Sequence, residues 1–398
     1  MKMSLFGYGK TNAAIAARFG NCDIYDDKFK QEEPFGTNRL LPMEAFDPEL
    51  STMEIASPGI APHHPQILRA RNLISEYDLF ADCAPFTIWI SGTNGKTTTT
   101  EMTHLLLKNK GAIAGGNIGT PLANLDMEAA IWVLETSSFT LHYTHKARPN
   151  LYILLPVTPD HINWHGSLEA YEAAKLKPLA LLNEGELAIV PAKYRAVPTK
   201  AFVCYYETND DLAAFFDLSI DKIRFAGCFL QDALMALAVS KALFDETDYD
   251  LLNSFVLDPH KIEEFRDAQG RLWVDDSKAT NYDAALQAVE IYKDKRIHLI
   301  LGGDDKDAEL DLLFDRLAQL NVAVYAIGKN RDKIVRMCAD RSISAVLCGF
   351  LEVAVSKIDE AFGADDVALL SPAAASLDQF SSYKQRGEEF KKLVGKLV

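Results

Sequence analysis

Cysteine is sparse in this 398-residue chain: the six residues Cys22, Cys83, Cys204, Cys228, Cys338 and Cys348 are scattered, with no CxxC pair. That spacing excludes a disulfide scaffold or a zinc framework and suits reduced thiols. Long apolar runs are missing too. Leu151–Pro156, among the longest, falls far short of the roughly 20 residues of a membrane span. The opening MKMSLFGYGK is strand-like and lacks the apolar stretch of a signal peptide, so a cytoplasmic protein is expected. Positive charge is in deficit, with 41 Lys and Arg against 56 Asp and Glu and a net charge of −15. A general nucleic-acid binder needs a basic face, so that class is set aside. Short repeats, low-complexity tracts and long charge runs are absent as well.

What is present is a 48% hydrophobic composition in a chain long enough for two or three domains. Strand-like and helix-like segments alternate, the pattern of parallel α/β sheets. The first block reads MSLFGYG as strand and turn, KTNAAIAARF as helix and CDIYDD as strand. A second block opens at FTIWIS and continues through AIWVLE and LYILLPV; Pro259 marks a hinge before a third with LWVDD, IHLILGG, VAVYAIG and DVALLSP. Glycine or polar residues follow strand after strand, which is where open α/β sheets bind ligands.

The stretch FTIWISGTNGKTTTT carries the strongest chemistry. Strand, glycine-rich turn and helix start form a P-loop, with Ile90 where the usual opening glycine stands and Gly92 taking over the turn. Small residues through Gly92, Thr93, Asn94 and Gly95 let amides face phosphates, Lys96 adds a point charge, and Thr97 and Thr98 open the helix. Glu135, ending AAIWVLE, is either a carboxylate completing a Mg²⁺ shell or a strand-end acid in solvent. In VTPDHINWHGS, His161 is either a metal ligand or a loop histidine. The helix after it, SLEAYEAAKLKP, is expected to be capped by Ser167 and to stop before Pro178, and its Lys175 reads as a solvated lysine. GYGKTN is either a dinucleotide turn or a plain strand-to-helix turn, since Asn12 replaces the third glycine; Asp26 and Asp27 keep NAD binding open there. In the third block, Asp276, Lys278, Thr280 and Asn281 share one strand-to-helix loop, Lys306 lies in LGGDDK, and Ser371 precedes an exposed-looking Phe380. Lysines at strand ends suit an anionic ligand or a transferred phosphoryl group.

Together SGTNGKTT, GGNIGTPL, LETSSF, DHINWHGS, YEAAK, DDSKATN, LGGDDK and LLSPAAASLDQFSSYKQRGEEF resemble the Mur ligases, and most closely their D-glutamate-adding branch. The resemblance runs over nearly the whole chain. It implies three α/β domains: a Rossmann-like 1–85 for a UDP-sugar, a central P-loop ATPase-like 86–257, and a Rossmann-like 258–398 for the amino acid. It implies ATP and Mg²⁺ at two sites, with UDP-N-acetylmuramoyl-L-alanine and D-glutamate as substrates of a monomer. Thr97, Glu135 and His161 would serve the metals, and Lys175 matches the family's carbamylated lysine. Gly9, Lys10, Thr11, Ser57, Pro58, Gly59 and Asn117 would meet the UDP-sugar. Asp232, Lys261 and Asp276 would lie near the nucleotide. Lys278, Thr280, Lys306, Ser371 and Phe380 would surround the incoming glutamate and the acyl phosphate.

Departures cluster at the adenine end. The family's G-x-H-N-x-x-N helix stands here as Gly227-Cys228-Phe229-Leu230-Gln231-Asp232, and PHR becomes PHK with Lys261. An expected Asn and Asp near His161 are Pro156 and Asn163. Rival readings are another ATP-dependent amide ligase (a different amino acid, or folate polyglutamylation), a non-catalytic UDP-sugar-binding module, and an NAD-dependent dehydrogenase built on GYGKTN.

Overall fold

A computed structural model describes residues 2–305 and 308–397. Three six-stranded sheets organise the described residues, each parallel-rich and dressed with helices. The chain divides into two compact units, Met1–Phe255 and Val256–Val398.

The first unit holds two of the sheets. One runs Glu33–Phe35, Asn38–Leu41, Cys22–Tyr25, Met3–Phe6, Met53–Ala56, Leu73–Ile74, and only its Glu33–Phe35 edge is antiparallel. The other runs Phe202–Tyr206, Leu187–Pro191, Leu151–Leu154, Phe86–Ser91, Ile131–Glu135, Ala112–Gly116, all parallel. Parallel strands must be covered on both faces, which is why these segments are runs of Ile, Leu, Val and Trp. A single apolar cluster joins both sheets, with Leu5 and Ile24 from the first and Trp132, Leu134 and Tyr152 from the second. Phe86–Ser91 lies centrally, so the loop that leaves its carboxyl end is fixed by neighbours on either side.

The second unit is built on Glu263–Arg266, Leu272–Asp275, Val367–Leu370, Ile297–Leu301, Val322–Ile327 and Ser344–Gly349. Strand alternation splits its core in two: Val274, Leu299, Val324 and Leu369 pack on one face, Trp273, Ile300, Tyr325 and Leu370 on the other.

One sequence expectation fails. The helix capped by Ser167 runs Leu168–Leu181 and carries Pro178 inside it. A proline there removes one amide donor and crowds the preceding turn. The Tyr152 hydroxyl donates to the Lys175 carbonyl at 2.6 Å, supplying a bond in the disturbed turn, and the helix continues. Ser167 caps the start as expected, accepting from the Ala170 amide.

Candidate active site

The P-loop joins the strand Phe86–Ser91 to the helix Lys96–Leu107. Two of its glycines are required by space. Gly92 has φ +146°, and a Cβ there would lie 2.5 Å from the Leu155 Cβ. Gly95 is left-handed at φ +83°, a conformation that side chains resist, and caps a helix start that no side chain caps. Thr93 is pinned on both sides: its hydroxyl bonds the Thr158 carbonyl at 2.9 Å and pairs with the Tyr171 hydroxyl at 2.9 Å. Asn94 is half-buried in the turn, and Thr98 is buried behind it.

The Lys96 ammonium folds back onto this loop, donating to the carbonyls of Gly92 at 3.0 Å and Thr93 at 2.6 Å. Burial lowers its pKa below the ordinary lysine value, while Glu135 and Asp160 pull the other way. Thr97 donates to one Glu135 oxygen at 2.7 Å, and Asn117 donates to the other at 2.6 Å. Glu135 is therefore not a solvated strand end: it is 3% exposed and strung between the phosphate loop and the next strand's turn. Its backbone carbonyl accepts from Tyr77 at 3.2 Å, a residue the sequence reading passed over.

Lys175 departs most from its expected surface position. It is 2% exposed, and its ammonium donates to the Gly92 carbonyl at 2.7 Å, the oxygen that Lys96 also uses. Burial first and the Lys96 charge second push its pKa well below that of an ordinary lysine. It lies 4.8 Å from the Tyr171 ring centroid, and the His161 ring is 6.3 Å from the same ring. His161 is exposed, sits at φ +54° and keeps its Nδ1 3.5 Å from Asp160. The deeper histidine of that segment is His165, paired with the Ser138 hydroxyl at 3.0 Å and pushed down to about 4, chiefly by burial.

Beside Asn117 a cavity of about 140 Å³ is lined by Lys10, Thr11, Pro58, Tyr77, Thr140 and Tyr143, with Glu76 at its wall. Four of the seven expected UDP-sugar residues thus meet at one cavity. Gly9 faces Ser57, whose hydroxyl would lie 3.3 Å from an added Cβ, and Gly59 is exposed in the same turn. Asn12 fills the third glycine's place for a local reason: its amide donates to the carbonyls of Phe6 and Gly7, both at 2.8 Å, and closes the turn. Glu76 was not foreseen; burial pushes its carboxyl up to about 7. Asp232 is buried and accepts from Thr99 in the P-loop helix at 2.8 Å, so it braces that helix from the neighbouring Cys228–Phe244.

In the second unit, Asp276 and Ser371 meet directly: the serine hydroxyl donates to the carboxylate at 2.6 Å. Burial pushes Asp276 up to about 8. Lys278 and Lys261 both stand 3.8 Å from Asp258. Thr280 is exposed, and Lys306 lies outside the described residues. Phe380 is half-buried and packs against the cluster of Trp273, Ile300 and Phe390, not out in solvent, because apolar area at a loop is cheaper to cover than to hydrate. Sequence reading missed Arg386, which is 1% exposed and ties the Ser277 and Ala374 carbonyls together at 2.8 and 3.1 Å. It holds the Asp276 loop to the Ser371 loop. Among the described residues three metal-type ligands converge only at His260, Glu263 and Asp275, and hydrogen bonds of 2.6 and 3.0 Å already account for that grouping.

No helix among the described residues is long and apolar enough to cross a membrane. The Mur ligase middle domain family matches residues 90–203. The chain is 52% identical to the UDP-N-acetylmuramoylalanine–D-glutamate ligase of Campylobacter jejuni (strain 81-176), over 100% of both chains. It is 43% identical to the protein of the same name from Helicobacter pylori (strain HPAG1), over 99% of each. Among solved structures it is similar in fold to the MurF ligase of Thermotoga maritima in complex with ADP, with TM-score 0.59 and 17% identity over 86% of this chain and 88% of that one.

Proposed function

The chain belongs to the Mur ligase family, and from that membership we propose that it joins D-glutamate to the alanyl carboxylate of UDP-N-acetylmuramoyl-L-alanine, using ATP, in peptidoglycan precursor synthesis in the cytoplasm. The observation that carries the reading is the line Thr97–Glu135–Asn117, bonded at 2.7 and 2.6 Å. It links the helix of the phosphate loop to the cavity at Lys10 and Thr11, which supports the reading that a nucleoside triphosphate and a UDP-sugar carboxylate would be neighbours within one unit.

In this account the alanyl carboxylate attacks the γ-phosphorus of ATP, ADP leaves, and an acyl phosphate forms. The amine of D-glutamate then attacks the acyl carbon, an amide bond forms, and phosphate departs with the amine's proton lost to solvent or a nearby base. Two anions must approach each other in the first step, so fixed positive charge lowers the barrier. Lys96 exchanges its loop carbonyls for phosphate oxygens and supplies that charge. Thr97 and Glu135 offer adjacent oxygens of the hard type that suits Mg²⁺, which would screen the phosphates when bound. His161 is the residue offered to a second ion. An uncharged amine is the form that takes up CO₂, and burial disposes Lys175 toward it; the resulting carbamate would face the Lys96 cation. Lys278, Thr280, Lys306, Ser371 and Phe380 are assigned to the glutamate side of the reaction, with Lys261, Asp232 and Asp276 toward the nucleotide. Domain limits of 1–85, 86–257 and 258–398, and a monomeric state, belong to the same proposal.

The test is oxygen transfer. With ¹⁸O in the alanyl carboxylate of the UDP-sugar, one labelled oxygen is expected in the released phosphate. Phosphate free of label, with amide product formed, would rule out the acyl phosphate.

A further inference from the structure

The cavity beside Asn117 carries one charge of each sign. Among the described residues that line it, Glu76 is the one acid and Lys10 the one base. Lys10 is exposed and opens the helix Lys10–Phe19, while Glu76 opens the short helix Glu76–Phe80. Glu76 is 7% exposed and forms part of the cavity wall, so its carboxyl is buried without being sealed off. The reaction above gives Lys10 a place and leaves Glu76 without one.

The Glu76 carboxyl is anchored but not neutralised. Its Oε1 accepts the Ala123 amide at 3.1 Å, and the Leu122 amide also supports it. No cation among the described residues bonds it. Arg18, on the Lys10 helix, spends its guanidinium on the Ala123 carbonyl at 3.0 Å. Asp78, on the same helix as Glu76, accepts the amides of His145, Lys146 and Ala147 at 2.7–2.8 Å. Lys177 donates to the Leu141 and Thr144 carbonyls, both at 3.2 Å. Glu135, beyond Asn117, is held by Thr97 and Asn117. Burial lifts the phenols of Tyr77 and Tyr143, the other ionisable groups of the wall, far above the neutral range. Burial also lifts Glu76, to about 7 against the pull of its two amides, so it is the wall's group that changes charge near neutral pH.

A UDP-sugar ending in alanine brings two phosphate charges and a carboxylate, and all three stay ionised from pH 6 to 8. An ionised Glu76 in the same cavity would oppose them, since like charges disfavour each other's charged form. A protonated carboxyl instead has an O–H to give, whereas an ionised one can only accept. We propose that Glu76 is a binding residue for the UDP-sugar, its carboxyl taking a proton from solvent as the substrate enters and donating through it to an oxygen of the sugar diphosphate. The proposal rests on the reading that this cavity holds that substrate. Substrate capture is then linked to proton uptake, with Lys10 as the fixed cation and Glu76 as the group that adjusts.

The test is isothermal titration calorimetry of the full chain with UDP-N-acetylmuramoyl-L-alanine. Two buffers of different ionisation enthalpy, at each of pH 6, 7 and 8, count the protons taken up on binding. A free carboxyl at about 7 predicts uptake of about 0.1, 0.5 and 0.9 proton in turn, and a Kd about tenfold weaker at pH 8 than at pH 6. Glu76→Gln keeps the shape and a permanent N–H donor. It is expected to match the wild type at pH 6, to hold its Kd within about twofold up to pH 8, and to take up no proton. At pH 8 the variant should therefore bind about tenfold tighter than the wild type, a gain that loss of a merely structural bond would not produce.

Wild-type uptake below about 0.2 proton at pH 8 overturns the proposal, and that reading needs no variant. Uptake that persists unchanged in Glu76→Gln places the proton elsewhere and overturns it as well. Binding without uptake refutes the role of Glu76 alone. No binding at pH 6 by the folded wild type refutes it together with the assignment of the cavity to the UDP-sugar.

Discussion

Replacing Lys175 by Met should stabilise the protein while destroying its activity. The side chain is 2% exposed, and burial and Lys96 together depress its pKa well below 10.5. Each unit of such depression costs the folded state about 1.4 kcal/mol when the amine is charged. Against that, the amine donates to the Gly92 carbonyl at 2.7 Å, a bond worth about 1 kcal/mol. That carbonyl keeps Lys96 at 3.0 Å, so the variant leaves no orphaned acceptor. Met fills nearly the same volume with no charge to bury. The balance favours Lys175→Met by about 1–2 kcal/mol at pH 7, or about 2–4 °C in Tm per kcal/mol for a unit of this size. The sign with pH follows from proton counts. Between the folded and unfolded pKa values the unfolded lysine holds the extra proton, so wild-type stability rises with pH through that window. The variant lacks this rise, and its advantage shrinks toward pH 10. Thermal unfolding in CO₂-depleted buffer from pH 6 to 10, beside turnover measurements, reads both effects. A variant destabilised by more than about 2 kcal/mol with an unchanged pH slope would mean that the amine is a charged structural anchor, and the carbamate reading would lose its footing.

Thr97→Val keeps the shape and removes the hydroxyl that donates to Glu135 at 2.7 Å; kcat/KM for ATP should fall about 100-fold or more, and a loss below tenfold would separate Thr97 from phosphate chemistry. Asp276→Asn should flatten a pH slope of the opposite sign. Its folded carboxyl, at about 8, holds a proton that the unfolded one has shed, so wild-type stability falls as pH rises from about 4 to about 8, and urea midpoints across that range check it. Arg386→Met breaks bonds to Ser277 and Ala374 in a buried place and should cost about 3 kcal/mol; at temperatures where it stays folded, KM for the amino acid should rise more than kcat falls. Thr99→Val removes a buried hydrogen bond of 2.8 Å to Asp232 and should cost about 1–3 kcal/mol, read by urea unfolding.

Much of this architecture was legible because its signals are local. The run FTIWIS followed by SGTNGKTT fixes strand, turn and helix start within one short stretch, and each glycine there answers a demand for positive φ or for space that only glycine meets. The strand-end residues were legible for the same reason: a parallel sheet puts the residue after each strand at the ligand end. What stayed hidden depends on distant neighbours. Lys175 looks like a surface lysine in YEAAK because helical periodicity does not reveal that Gly92, 83 residues earlier, supplies its partner. Pro178 looked like a stop because the Tyr152 hydroxyl that supports its turn comes from another strand. Arg386 reads as one more charge on an amphipathic helix, and its role is visible only once the Ser277 and Ala374 loops are placed together. Tyr77 and Glu76 sit in an unremarked SEYDLF, with nothing in the local pattern to tie them to Glu135 or to a cavity.

The most direct measurement is phosphate release from ATP with UDP-N-acetylmuramoyl-L-alanine present, comparing D-glutamate with L-glutamate, L-lysine and meso-diaminopimelate. Release that requires D-glutamate, is lost in Lys96→Ala and scales with amide product is the predicted result. Release with a different amino acid, or none with D-glutamate from a folded protein that binds both ATP and the UDP-sugar, would contradict it.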